Sequence, residues 1–219
     1  MTDGTHSLER QLMALPLFLG MSSNDISQLL TAFTLSFHQY NDERPVVTAG
    51  QQCTQLIILA KGRLTISSTP DDQRFHIDEE VEAPYLIQPE RLFGLNTRYT
   101  RSFSTQRSCQ LIGIGKNDVM KIASQYQVFH INLLNTICTQ AQRYARTPWA
   151  ATPADVRARI LLFIDSHCLL PTGRKHIMIR MTQLARELNE SRKAVSDELH
   201  RMHADHLITL RRESIDITL

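Results

Sequence analysis

The sequence predicts an α+β protein: an N-terminal β domain of sandwich or small-barrel type, one long helix, and a C-terminal winged helix-turn-helix. Three observations predict it. From about residue 35 to 115, short segments rich in β-branched and aromatic residues (LSFHQY, LIILAKGRLTIS, RFHID, RSFST, CQLIGI) alternate with turn clusters. Val128, Ile131, Leu134, Ile137, Cys138, Ala141 and Ala145 then recur at spacings of three and four, which is one face of a helix of ~20 residues. Finally, MTQLARELNESRKAVSDELHRMHADH, residues 181–206, reads as two short helices joined by a tight turn.

Taken in order, residues 7–15 (SLERQLMAL) form an amphipathic helix that ends before Pro16, and 22–33 a second, capped by Ser22 or Ser23. In the β segment, Gly50, Lys61-Gly62 and Thr69-Pro70-Asp71-Asp72 mark turns. Val119, Met120 and Ile122 belong to a short helix before the long one. The long stripe is read as a parallel two-helix dimer seam, the alternative being intramolecular packing. Two prolines five residues apart, Pro148 and Pro153, cannot both lie inside one unkinked helix, so 147–153 is a hinge. Thr152 is expected to cap the next helix with Pro153 in its first position, and Val156, Ile160, Leu161, Phe163 and Ile164 form its apolar face. A short strand over 176–179 leads into the helix pair, and LITLRRESIDI, 207–217, is a hairpin turning at Arg212-Glu213-Ser214.

In the helix pair, Leu184 and Leu188 line the first helix, with small Ala185 beside them, and Val195, Leu199 and Met202 line the second. Asn189 occupies the turn, where positive φ is needed, and Ser191 caps the second helix. In a helix-turn-helix the second helix enters the DNA major groove and its first residues meet base edges. Those residues here are Ser191, Arg192, Lys193, Ser196 and Asp197 on a helix over Ser191–His203. Arg192 or Lys193 suits guanine O6 and N7, and Asp197 suits a cytosine amine. Thr182, Gln183, Arg211 and Arg212 are the phosphate-contact candidates. The alternative is a helical hairpin that meets protein rather than DNA.

Composition narrows the class. With 219 residues, 42% apolar and 21% charged, the chain suits a soluble protein of one large or two small domains. No apolar run spans a bilayer, and the opening MTDGTHSLERQ lacks the segments of a signal peptide, so no membrane partner and a cytoplasmic site are expected. Cys53, Cys109, Cys138 and Cys168 form no CxxC, as expected of free thiols in a reducing compartment. Residues 154–219 hold 11 lysines and arginines against 9 acidic residues, so the whole net charge of +2 lies with the helix pair. No His–carboxylate pairing at informative spacing, Gly-rich phosphate loop or GxSxG is present, so an enzyme is not expected.

A β domain, a long helix, a hinge and a winged helix, in that order, resemble the Crp–Fnr superfamily of bacterial transcription regulators. The residues that carry the resemblance are LPLF and SNDISQLL within 15–30, LIILAKGRLTI at 56–66, and MTQLARELNESRKAVSDELHRM at 181–202. Nearly the whole chain is covered. The resemblance implies a β-roll or jelly-roll, cyclic-nucleotide-binding-like domain over 1–124, a dimerisation helix over 125–146, the hinge, and a winged helix over 154–219. It also implies a homodimer on palindromic double-stranded DNA, with Ile131, Leu134, Ile137, Cys138, Ala141 and Ala145 in the interface. RNA polymerase would be a further partner if the protein is an activator. Lys193 stands where many members carry glutamate, and Asp197 where the cyclic-AMP-responsive members carry arginine, so the resemblance implies a different operator.

Members that bind cyclic AMP use a Gly-Glu pair on the ribose and an Arg-Ser-Ala run on the phosphate, chemistry that suits a buried anion. Here Phe93-Gly94 resembles the start of that cassette, with Leu95 in the place of the glutamate. Tyr99-Thr100-Arg101 stands at the phosphate position, or Arg101-Ser102 if the register slides by two. Gly94, Leu95, Arg98, Thr100, Arg101 and Ser102 are therefore the candidate effector pocket, the alternative being a solvated loop. Cyclic AMP is not expected as the ligand, and the effector is unidentified. Residues 1–30 contain no cysteine for an iron–sulfur cluster. Neither lone His38 and His76 nor the run His200, His203, His206 argues a haem or metal site, so no cofactor is expected.

Overall fold

The computed structural model describes residues 2–146 and 152–219. Helices α1 (Thr2–Met13) and α2 (Ser23–Ala32) open the chain. Ser22 caps α2: its Oγ accepts from Asp25 N at 3.1 Å while Asp25 Oδ2 accepts from Ser22 N, a reciprocal capping box. Leu12, Ile26 and Leu29 are fully buried between these helices and the β domain.

Eight strands follow: β1 (Leu35–Tyr40), β2 (Pro45–Val47), β3 (Gln55–Lys61), β4 (Arg63–Ser68), β5 (Phe75–Glu82), β6 (Tyr85–Ile87), β7 (Ser102–Thr105) and β8 (Cys109–Gly115). One sheet has the order β1-β8-β3-β6, all antiparallel. The β3–β4 turn falls at Gly62, at φ +95°, where a Cβ would come within 2.5 Å of Ser108 O, so only glycine fits.

Helix α3 (Lys116–Gln125) and the long α4 (Gln127–Arg146) are separated by Tyr126, whose backbone is extended. Phe129, Leu133 and Ile137, four apart, turn α4 onto the β domain. Phe129 packs on Phe18 with ring centroids 5.5 Å apart, and Asn132 Nδ2 donates to the carbonyls of Leu17 and Leu19. Burying a side chain such as Phe129 contributes roughly 1.5–3 kcal/mol. Ile137 was expected on the dimer seam; the helical period turns it inward with the residue four before it.

The C-terminal part comprises α5 (Val156–His167), β9 (Arg174–Ile179), α6 (Met181–Glu187), α7 (Arg192–Ala204), β10 (Ile208–Arg211) and β11 (Ser214–Thr218). Residues 147–151 of the expected hinge lie outside the described residues. The expected cap at Thr152 is not used. Asp155 caps α5 instead, its carboxylate accepting from Ala158 N at 3.0 Å, because the helix begins three residues later than the proline signal implies.

The two parts are joined by strand pairing that periodicity did not foretell. Strand β9 pairs antiparallel with β5, from Phe75 opposite Ile179 to Glu79 opposite Lys175. Among the described residues this makes one seven-stranded sheet, β10-β11-β9-β5-β4-β7-β2, running from the wing through the β domain. The cores interlock at the junction. Phe75 and Ile77 pack with Ile160, Phe163, Leu199 and Ile215, while Leu169 packs with the N-terminal core. No helix among the described residues is long and apolar enough to cross a membrane.

Candidate nucleic-acid interface

The helix pair is shaped by residues legible in the sequence. Asn189 turns the chain at φ +51°, and Ser191 Oγ accepts from Ala194 N at 3.1 Å at the start of α7. Leu184, Val195, Leu199 and Met202 are buried, and Ala185 lets the helices approach. The opposite face of α7 is open: Ser191, Arg192, Lys193 and Asp197 are exposed and Ser196 is half-buried. Arg192, Lys193 and Arg212 have no ion-pair partner among the described residues, so their charge is available.

Between α7 and the wing lies a cleft of about 260 Å³ lined by Arg180, Thr182, Arg192, Arg211, Arg212 and Glu213. Arg211 Nε stands 3.7 Å from Asp216, and Arg180 Nε 3.8 Å from Glu213; both arginines are largely exposed. Thr182 reaches this cleft. Gln183 does not, for its side chain turns inward and donates to Glu187 on the next turn. The structure adds Arg180 to the expected basic residues, a position the sequence marks only as the residue preceding α6.

Sequence reasoning also missed the side chains that hold α7 in place. Glu198 is buried and accepts from Arg157 Nε at 2.6 Å and pairs with Arg201 at 3.0 Å, while Arg157 reaches on to Asp205. Arg159 pairs with Glu190 at 2.7 Å in the turn before α7. Buried or multiply bonded pairs of this kind orient a helix more than they stabilise it. The histidines of the run do not converge: His200 Nδ1 bonds Ser196 O and His203 Nδ1 bonds Ile208 O.

In the β domain, the six candidate pocket residues are dispersed. Gly94 and Leu95 lie exposed on a loop, Arg98 donates to Gly50 O at 2.7 Å, and Ser102 Oγ accepts from Ala49 N. Thr100 and Arg101 do come together, around a residue the sequence did not single out. Gln88 is buried in the left-handed region, at φ +37°. Its Oε1 accepts from Thr100 N at 3.0 Å and Arg101 N at 3.4 Å, and its Nε2 donates to Thr100 Oγ1 at 2.6 Å. A side-chain amide thus occupies the donors that would hold an anion. Arg101 points the other way, its Nε donating to Ser68 Oγ and its guanidinium to His167 O at 3.0 Å, at the end of α5. Nearby, both Glu90 carboxylate oxygens are buried without a well-formed hydrogen bond, and burial pushes this carboxyl above its ordinary value.

No family model and no curated protein matches the chain. Solved structures do. The Thermus thermophilus catabolite activator protein matches at a TM-score of 0.51 and 17% identity over 92% of this chain and 93% of that one. The c-di-GMP responsive global regulator CLP of Xanthomonas campestris matches at 0.49 and 16% identity, over 90% and 99% of the two chains. DNR from Pseudomonas aeruginosa matches at 0.48 and 16% identity, over 96% and 93%. Element order, the placement of the long helix and the likeness to the Thermus structure together show that this chain has a Crp–Fnr-like fold.

Proposed function

We propose that this protein is a homodimeric, sequence-specific DNA-binding transcription regulator. The observation that carries the reading is the open face of α7 beside the basic cleft. Arg192, Lys193 and Asp197 are free to meet base edges, with Arg180, Arg211 and Arg212 placed to one side for phosphates. The second support is α4. Its outward face keeps Val128, Ile131 and Leu134 exposed, continued by Cys138, Ala141 and Ala145, an apolar seam suited to a second copy of the same helix. A two-fold dimer would read a palindrome with half-sites about 34 Å apart.

Cyclic AMP does not serve as its effector in this reading, because Gln88 already satisfies the amides of Thr100 and Arg101. Selection of bound duplexes from a random pool tests the proposal. A recovered palindrome supports it, and a protein that retains no DNA even at low salt, where non-specific affinity is strong, would overturn it.

A further inference from the structure

The wing turn does not face the solvent alone. In the antiparallel ladder Ser214 lies opposite Met178, and Met178 opposite His76 on β5. Adjacent strands are ~4.8 Å apart, which sets the backbone of His76 about 10 Å from the wing turn. The connection between β4 and β5, residues 69–74, leaves the sheet at this same end. A groove of about 570 Å³ crosses it, lined by Thr69, Arg74, His76, His176, Arg180 and Arg212. Ile179, Arg180 and Arg212 also line the cleft beside α7, so the two grooves adjoin at these residues.

We propose that the β4–β5 hairpin of the N-terminal domain forms part of the DNA-contacting surface, with Arg74 binding a backbone phosphate beyond those met by Arg180 and Arg212. This rests on the DNA-binding reading above and extends its footprint to a domain with no helix-turn-helix. Phosphates recur every ~3.4 Å of helix axis on each strand, so an offset of about 10 Å falls within reach of another one. Arg74 is more than half exposed, and among the described residues its Nε pairs only with Asp72, at 2.9 Å. An exposed pair of this kind is weak and exchanges readily for a phosphate. His76 and His176 are engaged with Asp78 and Asp216 and are not the contact proposed. The hairpin keeps its place because β5 and β9 share one sheet.

The test uses the whole 219-residue chain and two duplexes carrying the palindrome selected as above, one with long flanks and one trimmed to end at the wing contact. Affinity is measured over a range of salt for wild type, Arg74→Ala, Arg74→Glu and Arg212→Ala. On the long duplex Arg74→Ala should lower the slope of log affinity against log salt by about 0.9 per protomer, and Arg74→Glu should weaken binding further. On the trimmed duplex both Arg74 variants should match wild type. If Arg212→Ala weakens binding while the Arg74 variants match wild type on both duplexes, the hairpin proposal fails and the DNA reading stands. Equal losses on both duplexes would also overturn it, since a flanking phosphate would not be the cause. Failure of wild type to bind either duplex at low salt would overturn both readings together.

Discussion

Glu79 and Lys175, distant in the chain, form an ion pair at 2.7 Å in which neither side chain is exposed. Glu79 also accepts from the amides of Leu169 and Leu170, and Lys175 Nζ donates to Leu170 O and Thr172 O at 3.0 Å. The charges are thus paired and their remaining valences satisfied at the point where β5 meets β9. Such a pair adds little net stability over an apolar replacement, but removing one partner leaves a buried charge.

Lys175→Met should therefore destabilise the protein by about 3–5 kcal/mol. The double variant Glu79→Gln with Lys175→Met should recover part of the loss. Urea unfolding of the three proteins checks this; a single variant as stable as wild type would show the pair to be dispensable.

Gln88 combines an unfavourable backbone conformation with three partly buried hydrogen bonds. Gln88→Ala keeps the first and loses the second, at a cost of about 1–3 kcal/mol. Gln88→Gly should be the milder change by roughly 1 kcal/mol, because glycine adopts positive φ freely. Thermal unfolding ranks the two, and titration calorimetry of wild type with cyclic AMP should show no binding in the micromolar range.

Glu90 carries a pH signature. Burial raises its folded value above the ordinary 4.5, so the folded state holds this proton more tightly than the unfolded chain. That contribution is fully present below 4.5 and is lost as pH rises through the folded value. Glu90→Gln, a neutral mimic, should be more stable than wild type at neutral pH, and the difference should vanish as pH falls through 4.5. Denaturant midpoints across that range check the sign.

Base reading and phosphate binding should separate by mutation. Arg192→Ala should cost on the order of 1–3 kcal/mol and relax preference at one base pair. Arg212→Ala should weaken all duplexes alike and flatten the salt dependence. Identical behaviour of the two across operators would refute this division of labour. Lys193 and Asp197 predict a selected operator unlike the catabolite-activator site.

Leu134 stands 48% exposed at the middle of the outward seam of α4. Leu134→Asp should cost the proposed dimer about 3 kcal/mol over its two copies, roughly a hundredfold in dissociation constant. Sedimentation should then show monomers with unchanged circular dichroism.

The helix pair was legible because it depends on local chemistry. Asn189 suits a positive-φ turn, Ser191 a cap, and Val195, Leu199 and Met202 a single helical face, all within a few residues of one another. The candidate effector region was not legible for the opposite reason. Gly94 and Leu95 are near Thr100 in sequence, yet the loop carries them into solvent, while Gln88 folds back across twelve residues to bond Thr100. Ile137 fell between the two cases, since a stripe at spacings of three and four spans both faces when a helix packs on one side and is open on the other.

By itself, then, the sequence determined the order of elements, the two helices of the helix-turn-helix and the long apolar helix, because periodicity, caps and turn residues act over short range. The tertiary structure alone decided that wing and β domain share one sheet, that Glu79 meets Lys175, and that Arg101 reaches His167 O rather than an anion pocket. Strand pairing between distant segments is set by register and by the burial of a few charged groups, and neither leaves a periodic trace in the chain.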